Sequence, residues 1–194
     1  MIKKEIIYFE KPGRSNTDEC IEAVKRRIVE GDIKQLVVAS GTGETALKFA
    51  GVCENVVCVS YHAGMKPEKK EALEENSSKL KEKEIKLVNS THTLSAGERS
   101  IAKRWSGTYP LLIVADTYRT FCEGIKVCVE VSLMATDNGV IPAGENILVV
   151  AGTSKGCDTA VILRSAYSGD FMENLVINEV ICMPMTEGNK HDAR

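Results

Sequence analysis

A chain of 194 residues, 43% hydrophobic and 27% charged, can close one substantial core and reads as a single domain over residues 1–194. Its 25 Lys and Arg against 27 Asp and Glu leave a net charge of -2, without the basic footprint that nucleic-acid binding needs. Seven cysteines in apolar settings, none in a C-x-x-C pair, argue against a disulfide framework or a zinc site and for free thiols in a reducing cytoplasm.

The opening "MIKKEIIYFEKPG" holds an apolar run too short for a signal peptide or a membrane span, and its Ile6 to Phe9 reads as a short buried strand. Asn16 or Thr17 caps a helix running to about Glu30, with Ile21, Val24, Ile28 and Val29 on one face. Leu36 to Ala39 is a strand, and Ser40-Gly41-Thr42-Gly43-Glu44-Thr45-Ala46 follows it. This G-x-G-x-x-A spacing has the form of a phosphate-cradling turn before a helix, here Thr45 to Val52. Asn55 to Ser60 is a strand, and the alternation implies parallel strands with crossovers. Lys66 to Lys83, dense in Glu and Lys, reads as a solvated amphipathic helix.

Ile85 to Val88 is the next strand. The polar "STHTLSAGERS" then carries His92 and leads into a helix from about Gly97 to Trp105. Leu111 to Ala115 fits strand or helix equally well. Cys122 to Thr136 is a buried helix, closed by Asn138-Gly139. Ile147 to Ala151 and Thr159 to Leu163 flank the polar loop "GTSKGCDT" as a hairpin-like pair, which places an antiparallel strand at the edge of the sheet. Leu175 to Met183 is a final strand, and residues 185–194 form a frayed tail.

The segment Asp18 to Ser60, with Ser40, Gly41, Thr45 and Ala46, and the segment Val127 to Leu163, with Gly139, Val149, Gly152 and Thr159, resemble the C-terminal α/β domain of pyruvate kinase. The stretches "YFEKPGRSNT", "VSYHAG", "LSAGERS", "KVCVEVSLMA", "CDTAVILRSA" and "VICMP" are closer still to stand-alone archaeal proteins that carry this domain without the kinase barrel. The resemblance implies a three-layer α/β/α sandwich with a mixed, mainly parallel sheet in strand order 3-2-1-4-5. It further implies a protein that binds flavin mononucleotide (FMN), with a homo-oligomer as one outcome, while the cysteines, the charge balance and the short apolar start lead to the expectation of a cytoplasmic protein with no nucleic-acid or membrane partner. These residues have no room for the barrel, so no phosphoryl transfer to ADP is expected.

The residues narrow the ligand. A dinucleotide site wants a carboxylate about 20 residues beyond the glycines, where this chain has Ser60-Tyr61-His62; a P-loop lysine is also missing. A monophosphate fits better, with hydroxyls of Ser40, Thr42 and Thr45 and amides of Gly41, Gly43 and Ala46 as donors and Glu44 turned to solvent. Lys155 and Arg99 are the candidates to neutralise it. His92, Glu130, Thr153, Ser154 and Asp158 are further candidates at the ligand, and His62 fits either a contact or a structural place. Glu130 is either the i, i+4 partner of Lys126 or a carboxylate turned into the cleft. No metal set can be assembled. Two functions stand: a flavin protein, redox-active or not, and a non-catalytic sensor of a phosphorylated metabolite.

Overall fold

The computed structural model describes residues 1–64 and 66–185. Seven strands form one sheet: β1 (Ile7–Phe9), β2 (Gln35–Ala39), β3 (Asn55–Ser60), β4 (Lys86–Asn89), β5 (Asn146–Ala151), β6 (Thr159–Arg164) and β7 (Val176–Pro184). Their order is β1-β7-β6-β5-β2-β3-β4, and every pairing is parallel except the two made by β6. The helices are α1 (Thr17–Ile28), α2 (Glu44–Leu47), α3 (Lys70–Glu82), α4 (Ala96–Ala102), α5 (Pro110–Arg119), α6 (Glu123–Asp137) and α7 (Phe171–Asn174).

The period of two along each strand sorts the core into two layers. Leu36, Val38, Cys58, Leu148, Val150 and Ile162 face α1 to α3, meeting Cys20, Val24, Phe49 and Leu80. Val37, Val57, Val149, Val161 and Leu163 face the other way, onto Ile125, Cys128 and Met134 of α6. Both sheet faces are therefore covered, which is why the central strands are apolar throughout. Counted from β2, the first five strands of the α/β unit keep the expected 3-2-1-4-5 order.

The antiparallel strand is not an edge. β7 returns beside β6 and β1 adds beyond it, so β6 is flanked on both sides, and its buried run Thr159–Leu163 has the composition of an interior strand. Leu111 to Ala115 resolves as helix: Pro110 starts α5, and Leu111, Val114, Ala115 and Tyr118, at helical spacing, pack toward Val129 and Leu133. The helix expected from Thr45 to Val52 shrinks to the four residues of α2, because Phe49 turns into the core and Gly51 takes φ 73°. Val29, placed on the apolar face of α1, is exposed. The expected tail lies outside the described residues except Met185, whose N–H donates to Phe9 O at 2.7 Å.

All seven cysteines are free, and burial pushes the Cys58 thiol up to about 12. Among the described residues no helix is long and apolar enough to cross a membrane.

Candidate functional site

β2 feeds α2 and β3 on one side and has β5 as its neighbour on the other, so a crevice opens at the carboxyl ends of β2 and β5, where the winding reverses. A cleft of about 570 Å³ occupies this place. Its walls are the loop after β2, the end of β3 with Tyr61, the loop after β5, and one face of α6. That face presents Glu123, Lys126, Val127, Glu130, Val131 and Met134, a single stripe at helical spacing.

Of the residues singled out from sequence, Ser40, Gly41, Thr42, Thr45, His92, Glu130, Thr153 and Ser154 all border the cleft. Gly43 and Ala46 do not. Ala46 is fully buried in the core, and Gly43, at φ 82°, packs against Leu80 and Asn76. Ser40 Oγ accepts from Thr45 N–H at 3.2 Å, Ser60 Oγ donates to Gly41 O at 3.0 Å, and Asn76 Nδ2 donates to Thr42 O at 2.9 Å. These bonds fix the turn through its carbonyls. The amides of Gly41, Thr42 and Gly43 donate no hydrogen bond among the described residues. Gly41 has a steric reason to be glycine, since a Cβ there would overlap the Tyr61 ring. Glu44 is exposed as expected, but it stands on the rim.

The loop after β5 is held from beneath. Asp158, fully buried, accepts from Gly13 N–H at 2.8 Å, Thr153 Oγ1 at 2.9 Å and Thr159 Oγ1 at 2.8 Å. It is thus a tie between the loops after β1 and β5 and not a cleft residue, against the sequence expectation. The amides of residues 152–156 donate no hydrogen bond among the described residues.

With α2 so short, the helix dipole adds little field, and positive charge comes from side chains. Arg14, Lys66, Lys69, Arg99, Arg119, Lys126 and Lys155 border the cleft, against Glu44, Glu68, Glu123 and Glu130. Arg119 is tied to Glu123 at 2.6 Å and Asp116 at 2.7 Å. The Nε of Arg99 is buried and has no hydrogen-bond partner among the described residues. The Nζ atoms of Lys66 and Lys69 lie 5.1 and 5.2 Å from the Tyr61 ring centre. Sequence reasoning found Arg99 and Lys155 and missed Arg14, Tyr61, Lys66, Lys69 and Arg119. Tyr61 had a signal, the end of a parallel strand; the lysines, just ahead of α3, had none within a charge-rich stretch.

Both readings of Glu130 hold together. It is 2% exposed and paired with Lys126, 3% exposed, while bordering the cleft. Its Oε1 accepts from Leu94 N–H and Ser95 Oγ, each at 3.1 Å, and its Oε2 lies 3.5 Å from His92 Nδ1. Burial opposes the charge on Glu130, but Lys126, His92 and the Leu94 amide outweigh it and hold the carboxyl below its ordinary range. Burial pushes His92 down from the usual 6.5; Lys126, His62 and Arg99 add to this, and Glu130 opposes it. Followed by NMR, His92 should titrate below 6.5, and Glu130→Gln should lower its midpoint further, because the one charge favouring imidazolium is gone. A midpoint at or above 6.5 in the native protein would show that burial is not the dominant influence.

A sheet wound in two directions from β2, with a charged crevice at the reversal, defines a doubly wound α/β domain. A family model for the pyruvate kinase alpha/beta domain matches residues 18–163, and the chain belongs to that family.

Proposed function

We propose that the cleft binds a small phosphorylated molecule and that FMN is the first ligand to place there. The observation that carries this reading is the pair of polar loops, Ser40–Thr45 and Gly152–Gly156, bordering one crevice with unpartnered amides and several cations. A smaller cavity of about 290 Å³, with Leu73, Leu87 and Ala63 in its wall, also borders Tyr61 and offers apolar surface for a flat ring. FMN added to the protein should show saturable quenching of flavin fluorescence, competed by inorganic phosphate. Gly41→Val, with its fold verified by circular dichroism, should weaken binding by about tenfold or more, roughly 1.4 kcal/mol. Undiminished flavin binding by that variant counts against the site.

The predominance of Lys and Arg over Glu around the cleft favours a second reading, a phosphorylated metabolite without a flavin ring. Sugar phosphates that bind where FMN does not would select it.

A further inference from the structure

The buried Lys126 and Glu130 and the partly buried His92 form a group that lies outside both polar loops, yet it borders the same cleft. One carboxylate oxygen, Glu130 Oε2, serves both neighbours: it pairs with the Lys126 ammonium and lies 3.5 Å from His92 Nδ1. A carboxylate at that position favours the proton on Nδ1, which leaves Nε2 with its lone pair. Nε2 has no hydrogen-bond partner among the described residues. Lys126 donates to Glu130 alone there, so its remaining N–H groups are uncommitted. Glu130 itself is fixed by Leu94 N–H and Ser95 Oγ, so it positions both groups without being free to move.

A base and a cation sharing one rigid carboxylate suit a narrow set of reactions. Among the described residues no cysteine borders the cleft and no hydroxyl is hydrogen-bonded to His92, the Ser95 hydroxyl being committed to Glu130, so no activated nucleophile accompanies the base. Proton transfer at carbon needs neither a nucleophile nor a co-reactant.

We propose that this cleft catalyses enolisation of a small phosphorylated carbonyl compound. This rests on the phosphorylated-metabolite reading of the cleft. The phosphate occupies the polar loops. His92 Nε2 takes a proton from the carbon beside the carbonyl, the C–H electron pair forms the C=C bond, and the carbonyl oxygen becomes an enolate oxyanion stabilised by Lys126. Return of a proton from His92 to the same carbon, as the enolate collapses back to the carbonyl, closes the cycle with no net oxidation. His92 and Lys126 are the catalytic residues, and Glu130 is a positioning residue.

The test is deuterium exchange in D₂O, read by NMR, with dihydroxyacetone phosphate and fructose 6-phosphate as probes and calorimetry reporting their binding. The expected result is saturable loss of the α-proton signal of at least one probe. His92→Asn should slow it by about 100-fold or more while binding persists. The rate should also rise with pH through the His92 midpoint measured in the same protein, a midpoint set by burial and by Glu130 and Lys126 on α6, His62 after β3 and Arg99 on α4, with the Tyr61 ring beside the imidazole. Binding without exchange, or exchange indifferent to His92→Asn, overturns the enolisation and leaves the phosphate reading standing. Failure of both probes to bind overturns the two together.

Discussion

Lys126→Met should cost about 3–5 kcal/mol of folding stability, the largest loss expected from any single change at the cleft. The native pair is almost wholly out of water, and removing the ammonium leaves the Glu130 carboxylate buried with neutral donors and a histidine that burial keeps from charging. Desolvation of that unpaired charge, more than the lost bond, makes the number large. Lys126→Met combined with Glu130→Gln should regain most of it, since a neutral amide still accepts from Leu94 and Ser95 and no charge is stranded. Urea midpoints of the two single variants and the double variant give the coupling directly. A loss below about 1 kcal/mol for Lys126→Met would mean that water reaches the pair.

Asp158→Ala should cost about 3 kcal/mol, because it leaves the buried partners Gly13 N–H and the Thr153 and Thr159 hydroxyls to find other acceptors. Asp158→Asn keeps an acceptor oxygen and should cost less. The effect has a local signature. The Gly13 amide should lose its protection against hydrogen exchange in Asp158→Ala at conditions where the sheet amides keep theirs. Equal loss of protection everywhere would place Asp158 in the global core and not at a tie between loops.

The sheet was legible in the chain wherever burial on both faces left an unbroken apolar run, as in Leu36 to Ala39 and Ile147 to Ala151. The interior place of β6 was not, because it depends on where β7 pairs. That register is irregular, with shifts between Ala160 and Val161 and between Ile162 and Leu163. The loop after β2 could be read from glycine spacing, since close approach to Tyr61 and a positive φ at Gly43 are local demands. The positive wall could not. Arg14, Lys66, Lys69 and Lys155 come from three different connections, those leaving β1, β3 and β5, and in sequence each is one basic residue among 25. Their convergence is a property of topology.

The single reversed strand governs who has access to that rim. Because β6 alone runs against its neighbours, β7 and then β1 point the same way as β5, so the segment leaving β1 arrives beside the loop leaving β5. Arg14 reaches the crevice by this route, and the Gly13 amide ties its loop to Asp158 beneath it. Both precede residue 18, where the match to the pyruvate kinase family begins. The stretch that the family model matches and the stretch that builds the pocket therefore have different limits, and a chain with the same α/β unit but another opening strand would carry a differently charged mouth. In this architecture, the charge at the mouth can change by exchanging a short segment around the edge strand β1, with the layers of the matched unit left untouched.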